Sequence, residues 1–208
     1  DVLVKALAAA DSDDARMPLL AALSENAEAR LGRVDTAIEY QRQRLSISPA
    51  DHGAMDALTR LYASSERWFD LVEALREHIE TLDAVRDRGR LLALRTLLAD
   101  IAHSHLQDAD TAIESLNVVL DLEPDNARAL TVLAQLYERS GEWSRCAETL
   151  TRALAHAAPG QERADAQRRL GILYLERLDR PEEARAALES AVAESGDAQA
   201  LDALVRLS

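Results

Sequence analysis

The stretch Met55–Tyr62, which reads MDALTRLY, decides the fold because it recurs twice further along the chain. Residues 130–137 read LTVLAQLY, and residues 201–207 read LDALVRL. The first and second copies begin 75 positions apart, and the second and third begin 71 positions apart. Each spacing is close to two units of the helical-repeat class whose period is about 34 residues. The sequence therefore predicts an array of repeated helical units.

Each copy carries the apolar pattern of one face of an α-helix. In the second copy the apolar residues stand at i, i+3, i+4 and i+7, which are Leu130, Leu133, Ala134 and Tyr137. This spacing places them in a single stripe along the helix. Because such a stripe has to be covered by a neighbouring helix, we expect it to form part of the core.

A second type of unit alternates with the first. It reads LGRVDTAIE at 31–39, LQDADTAIE at 106–114 and LDRPEEARA at 178–186. The unit consists of a leucine, a short polar turn and an alanine-rich helix, and the small alanines let two helices approach closely. Pro124 follows the middle copy and ends its helix, because proline lacks a backbone donor and restricts the residue before it. The chain is thus predicted to alternate the first and second helices of helical hairpins.

These motifs resemble the tetratricopeptide repeat (TPR). Residues 106–126 are similar to the second helix and closing turn of that repeat, and residues 130–137 are similar to its first helix. Ala134 occupies a position where the family has glycine or another small residue, and Gly171 fills the equivalent position after Leu170. The resemblance implies an all-α fold, a right-handed superhelical solenoid of TPR-like hairpins in a bacterial-type array of paired repeats.

We expect a single solenoid domain over residues 1–208, with partial repeats at both ends. The connection 81–89 is longer than the family's usual connection, and we expect it to extend the flanking helices. The predicted hairpins span approximately 14–49, 52–84, 88–123, 127–158 and 161–195.

Two tryptophans, Trp68 and Trp143, depart from the family pattern in the turn of the first hairpin of each pair. One interpretation is that each ring packs across its own turn. The other interpretation is that each ring anchors a partner protein, since tryptophan is enriched at the centres of protein interfaces.

The composition argues against nucleic acids and membranes as partners. The net charge is −13, and the arginines are spread between carboxylates without forming a basic stripe, so a duplex or an anionic bilayer would be repelled. No apolar run approaches the roughly 18 residues that a membrane span needs, so we predict no membrane insertion. Abundant Ala, Leu, Arg and Asp with little Lys indicate a GC-rich bacterial genome. The cellular compartment stays open, with the cytoplasm favoured.

Few residues in the chain are suited to catalysis or metal ligation. Cys146 is the one cysteine, which excludes an internal disulfide framework and a multi-cysteine zinc site, and we expect a buried, inert thiol. His103 and His105 are two positions apart on a helix and so point to different faces, which argues against joint ligation of a metal. The sequence also lacks a glycine-rich phosphate loop. We therefore predict that the chain is not an enzyme and has no catalytic, cofactor-binding or metal-binding residues.

The resemblance implies that ligand contacts come from first-helix residues on the concave side of the solenoid. Placed by the apolar stripes, these groove residues are Asp56, Arg60, Ser64, Asp100, His103, Thr131, Gln135, Arg139 and Arg168. The Lys, Asn and Arg set with which some family members clamp chaperone tails is missing, which argues against a chaperone-tail receptor. Arg60, Arg139 and Arg168 offer bidentate donors to an acidic or extended peptide. The alternative for each arginine is an ordinary surface ion pair.

Two functions are compatible with these patterns. The first is a protein–protein interaction scaffold that binds a partner peptide or helix in its concave groove. The alternative is a structural or regulatory solenoid segment of a larger multidomain protein or assembly. This alternative rests on the apolar edge formed by Leu201, Leu204 and Leu207, because repeat arrays normally finish with a polar capping helix. The same edge predicts self-association through exposed terminal repeats.

Overall fold

The computed structural model describes residues 2–207, and within them it contains twelve α-helices and no β-strand. The all-α prediction is therefore confirmed. The chain divides after Asp108 into two compact units. The two terminal residues of the predicted domain 1–208 lie outside the described part of the chain.

The first unit contains six α-helices followed by a π-turn at Ala102–Leu106. Its helices are α1 (Val2–Ala8), α2 (Asp13–Leu31), α3 (Val34–Ile47), α4 (His52–Ser64), α5 (Trp68–Glu80) and α6 (Arg88–Ile101). Each of these helices packs against the next one along the chain. Successive hairpins are therefore stacked on one another, which is the arrangement of a helical solenoid.

The second unit contains six further helices. They are α7 (Ala109–Leu122), α8 (Ala127–Ser140), α9 (Trp143–His156), α10 (Gln161–Glu176), α11 (Pro181–Ser195) and α12 (Ala198–Arg206). Each helix again packs against the next, and α10 also contacts α12. Because α10 and α12 are each the first helix of a repeat, this contact stacks one repeat on the next.

The apolar residues of the repeated stretch form the buried face of the first helices. On α8 the residues of the stripe are at most 5% exposed, and they are Leu130, Leu133, Ala134 and Tyr137. On α4 the equivalent stretch is at most 1% exposed at Met55, Leu58, Leu61 and Tyr62. The prediction that these stripes are buried against neighbouring helices is confirmed.

Short polar side chains cap the N-termini of α4 and α8. Asp51 accepts a hydrogen bond from the backbone N–H of Ala54, and Asn126 accepts one from Ala129, each at 3.0 Å. These bonds satisfy donors that have no partner inside the helix. Both caps lie just after a proline-containing turn, so one short stretch ends a second helix and begins the next first helix.

Gly171 lets α10 and α11 approach each other closely. A Cβ atom at this position would lie 2.6 Å from Cγ of Leu188 and 3.2 Å from the backbone oxygen of Ala184. Leu188 is fully buried and has little room to move aside. The small residue that the repeat pattern places here is therefore a packing requirement of the α10–α11 hairpin.

The connection between α5 and α6 differs from the prediction. Residues 81–87 form turns and do not extend either helix. Oδ1 of Asp83 accepts hydrogen bonds from the backbone N–H groups of Val85 and Arg86, at 2.9 and 2.8 Å. Bonds of this kind offer the backbone a local alternative to the helix, which is why aspartate favours turns. The expectation of extended flanking helices was wrong.

Four of the five predicted hairpins each lie wholly within one of the two units, two in the first and two in the second. The segments 14–49 and 52–84 contain α2 with α3 and α4 with α5, and the segments 127–158 and 161–195 contain α8 with α9 and α10 with α11. The segment 88–123 crosses the division after Asp108. The pairing of α6 with α7 therefore remains a prediction.

Candidate functional site

Three of the predicted groove residues lie on the exposed side of α4, and we call this surface the α4 face. It consists of Asp56, Arg60 and Ser64, whose four-residue spacing aligns them along one side of the helix. Arg60 forms a bidentate ion pair with Glu28 of α2, and Asp56 pairs with Arg90 of α6. The α4 face is thus bridged to both of its neighbouring first helices.

The Arg60–Glu28 pair accounts for the electrostatics of the α4 face. The hydrogen bond from the Arg60 guanidinium stabilises the carboxylate and so lowers the pKa of Glu28. The two side chains are 57% and 29% exposed, so the pair contributes at most about 1 kcal/mol to stability. Arg60 therefore has the ion pair that was its alternative interpretation, and it would have to leave Glu28 to bind a ligand.

Two further groove residues, Asp100 and His103, lie at the end of α6 and in the π-turn that follows it. Both side chains are half-buried. A π-turn inserts a wider turn into the helix and changes the direction of the residues after it. Regular α-helical spacing therefore does not give the direction of the His103 side chain, and its place in the groove remains a prediction.

The second unit displays three groove residues on α8, and we call this surface the α8 face. Thr131, Gln135 and Arg139 are all exposed and are aligned at four-residue spacing. The Thr131 hydroxyl donates to the carbonyl oxygen of Ala127 within the helix, at 2.8 Å. Within residues 2–207, Gln135 and Arg139 form no ion pair or side-chain hydrogen bond. The α8 face therefore displays an amide and a guanidinium that are available to a ligand.

Arg168 on α10 forms ion pairs with Asp165 and Asp197. Its Nε donates to Asp197 at 2.9 Å, and its terminal nitrogen donates to Asp165 at 3.2 Å. Asp197 also caps α12 by accepting from the backbone N–H of Ala200 at 2.9 Å. The backbone bond and the arginine together hold the pKa of Asp197 below its ordinary value. Arg168 thus positions the start of α12, in keeping with the ion-pair interpretation.

The two tryptophans are covered by side chains from later in the chain. Each is the first residue of a second helix, α5 or α9. The Trp68 ring stacks on the His105 ring at 3.8 Å between centroids, and the Arg177 guanidinium lies 4.9 Å from the centre of the Trp143 ring. These contacts join one hairpin to the next and favour the packing interpretation over a free anchor. Local sequence patterns do not reveal these contacts, because each tryptophan and its partner are more than thirty positions apart.

A cleft that sequence periodicity does not reveal lies between the second helices α3 and α5, and we call it the α3–α5 cleft. It has a volume of about 580 Å³, and Leu58 and Tyr62 of α4 form its floor. Its remaining lining residues are Glu39, Arg42, Gln43, Leu45, Ser46, Pro49, Asp70, Glu73, Ala74, Glu77, His78 and Thr81. The glutamates of α5 have the spacing of ordinary surface ion-pairing residues, so their sequence positions gave no signal of a cavity.

One lining residue of this cleft, His78, is buried and pairs with the exposed His52. His78 is 2% exposed, and its Nδ1 lies 2.9 Å from the carbonyl oxygen of Pro49. A carbonyl only accepts, so Nδ1 of His78 carries the proton, and Nε2 accepts from Nδ1 of His52 at 3.2 Å. Burial lowers the pKa of His78, mainly because the charged form would lose its hydration.

This lowered pKa predicts that stability decreases under mildly acidic conditions. The unfolded chain binds the proton first, at its ordinary pKa of about 6.5, so stability is lost as the pH falls below that value. Replacing His78→Gln should flatten the dependence of the unfolding free energy on pH between about 7 and 5. The control is His156→Gln, at an exposed position of α9, which should leave that dependence as in the parent chain. Equal slopes for the parent and His78→Gln would contradict the assignment.

The thiol of Cys146 is buried, and the described residues form no cluster suited to a metal ion. Cys146 is 1% exposed, and burial raises the pKa of its thiol to about 11, which confirms the expected buried thiol. Within residues 2–207, no three His, Cys, Asp or Glu side chains are grouped so that they could hold a metal ion. No helix among the same residues is both long and apolar enough to cross a membrane.

Comparisons with known proteins identify the repeats. Two family models of the tetratricopeptide repeat match the chain, one over residues 105–163 and the other over residues 165–198. A comparison with curated protein sequences found no match.

Several solved structures share the fold. MamA AMB-1 has a TM-score of 0.57 and 21% identity, covering 93% of this chain and 99% of its own. YrrB, a TPR protein, has a TM-score of 0.55 and 14% identity, covering 98% of this chain and 97% of its own. MamA from Desulfovibrio magneticus RS-1 has a TM-score of 0.50 and 15% identity, covering 88% and 96%. Identities at this level show a common fold.

Proposed function

This chain is a tetratricopeptide repeat protein, and on that premise we propose that it binds a peptide or helix of a partner protein through its first helices. Repeats of this family form interaction scaffolds and are generally not enzymes. The observation that carries the proposal is the α8 face, where Gln135 and Arg139 are exposed and make no polar contact within residues 2–207. YrrB is described as a TPR protein with an unusual peptide-binding site, which makes peptide binding a reasonable function for a related fold.

The α8 face is suited to an extended or acidic peptide. An extended backbone offers carbonyl groups to Gln135, and a carboxylate can accept two parallel hydrogen bonds from the Arg139 guanidinium. Asp56, Arg60 and Ser64 offer similar groups on the α4 face, where Arg60 is already paired with Glu28. The remaining proposed contacts are Asp100, His103, Thr131 and Arg168.

The test begins with peptides selected against the purified chain from a displayed random library. Arg139→Glu should weaken the best selected peptide by about tenfold or more, because a bidentate contact is replaced by like-charge repulsion. Arg60→Glu should have a comparable effect only on peptides that contact the α4 face. Affinities are measured by isothermal titration calorimetry.

The control for this test is Arg152→Glu, which makes the same charge change at an exposed position of the second helix α9. It should leave the affinity within about twofold of the parent chain. Unchanged affinity in both Arg139→Glu and Arg60→Glu, with thermal unfolding preserved, would remove the first helices from the binding site.

A second candidate function is that of a structural segment that packs against further helices. The exposed apolar side chains of α12 favour it, since Leu201 is 54% exposed and Val205 is 67% exposed. Exposed apolar surface of this kind often marks a contact with another element. We expect sedimentation velocity to show concentration-dependent association, which the double change Leu201→Glu with Val205→Glu should abolish. A parent chain that stays monomeric at all concentrations would count against this function.

A further inference from the structure

The α3–α5 cleft is a cavity of the size that binds side chains or small ligands. Its volume of about 580 Å³ lies within the range of roughly 300–1,000 Å³ that is typical of ligand pockets. The base of the cleft is formed by Leu58 and Tyr62, which are 0% and 1% exposed and so are closed to an entering group. The apolar surface that such a group can touch belongs to Leu45 of α3 and Ala74 of α5, which line the cleft and are half-buried.

The walls of the cleft carry an excess of negative charge. Four carboxylates line it, Glu39, Asp70, Glu73 and Glu77, against the single guanidinium of Arg42. The charge of Asp70 is balanced by Arg67, whose Nε donates to it at 2.7 Å.

On α5, the negative charges of Glu73 and Glu77 are not balanced by a neighbouring arginine among the described residues. Glu73 and Glu77 are four positions apart, so their carboxylates are neighbours on one side of α5 and repel each other. Neither forms an ion pair with another residue of the described chain. A basic side chain placed between them would relieve this repulsion and could donate hydrogen bonds to both carboxylates.

We propose that the α3–α5 cleft binds an arginine- or lysine-bearing segment of a partner protein. The aliphatic stem of the basic residue lies against Leu45 and Ala74, and its charged end contacts Glu73 and Glu77. Long basic side chains combine an apolar stem with a charged tip and so match a cleft with both apolar and acidic lining residues. This site lies on second helices and prefers the opposite charge from the α8 face, so it is independent of the proposed function above.

The test uses a fluorescein-labelled, end-capped heptapeptide with the sequence Gly-Leu-Arg-Leu-Arg-Leu-Gly, at an ionic strength of about 0.15 M. Fluorescence anisotropy should show saturable binding, and the peptide with both arginines replaced by citrulline should bind at least about tenfold more weakly. The double variant Glu73→Gln with Glu77→Gln should lose affinity to a similar extent.

The matched control addresses the net charge of −13, which attracts any basic peptide. Glu148→Gln with Glu189→Gln removes the same two charges from exposed positions of the second helices α9 and α11. This control should bind within about twofold of the parent chain. Equal losses in the two double variants would show attraction to the whole molecule and would overturn the proposal, as would the absence of saturable binding.

A third variant tests the cavity itself. Ala74→Phe places a ring in the cleft without changing its charge, and it should also weaken the peptide by about tenfold. Thermal unfolding establishes which variants remain folded. If Ala74→Phe does not fold, the double variant Glu73→Gln with Glu77→Gln still decides the test, because both of its positions are exposed. A folded Ala74→Phe variant with unchanged affinity would contradict binding inside the cleft.

Discussion

Leu130→Ala is expected to lower the free energy of unfolding by about 3 kcal/mol. Leu130 is fully buried in the stripe of α8, so the substitution removes apolar contacts and leaves a cavity that neighbouring helices fill only in part. The loss is measured by equilibrium chemical denaturation followed by far-ultraviolet circular dichroism.

The neighbouring residue provides the control for this prediction. Thr131 is exposed, and its hydroxyl bonds only to the carbonyl oxygen of Ala127 in the same helix. Thr131→Ala should therefore change the unfolding free energy by no more than about 0.5 kcal/mol. Similar losses at both positions would mean that the period of the helix has been assigned to the wrong face.

Gly171→Val is expected to lower the unfolding free energy by about 2–3 kcal/mol through overpacking. The first atom of the new side chain would lie 2.6 Å from Leu188, which is itself enclosed, and 3.2 Å from the backbone of Ala184. Valine has a better helix propensity than glycine, but that gain of a few tenths of a kcal/mol is smaller than the steric cost.

Gly89→Val is the matched control, because Gly89 is also helical and a Cβ atom there meets nothing within 4 Å. We expect this change to stay within about 0.5 kcal/mol of the parent chain. A Gly171→Val variant as stable as Gly89→Val would show that α10 and α11 are not held in close contact at this position.

The sequence predicted the core because the core is encoded locally. Apolar residues at helical spacing fix the buried side of α8 without any knowledge of its neighbours, and the repetition at 75 positions identifies α4 as its equivalent. The start of α8 was also signalled locally, by the proline turn followed by Asn126. Gly171 was recognised for the same reason, since a repeat pattern marks its small positions.

The surface was predicted less completely because its contacts join residues that are distant in sequence. Nothing local links Arg60 to Glu28 or Arg168 to Asp197, yet these ion pairs decide which groove residues are already occupied. Among the described groove residues, Gln135 and Arg139 of the α8 face have no such ion pair. The turns at 81–87 differ from the prediction because Asp83 bonds to nearby backbone groups.

The α3–α5 cleft shows the same limit from another direction. Its residues come from three helices and from the turns at Pro49 and Thr81, so they are distant from one another in sequence. A cavity is a property of how helices are spaced, which the periodicity of a single helix does not encode.

Amide chemical-shift mapping with the best selected peptide shows whether partner peptides bind along the first helices. Binding there should place the largest shifts, on addition of the unlabelled peptide to the ¹⁵N-labelled chain, in α8 around Thr131, Gln135 and Arg139. Shifts confined to the second helices α9 and α11, with α8 and α4 unaffected, would contradict it.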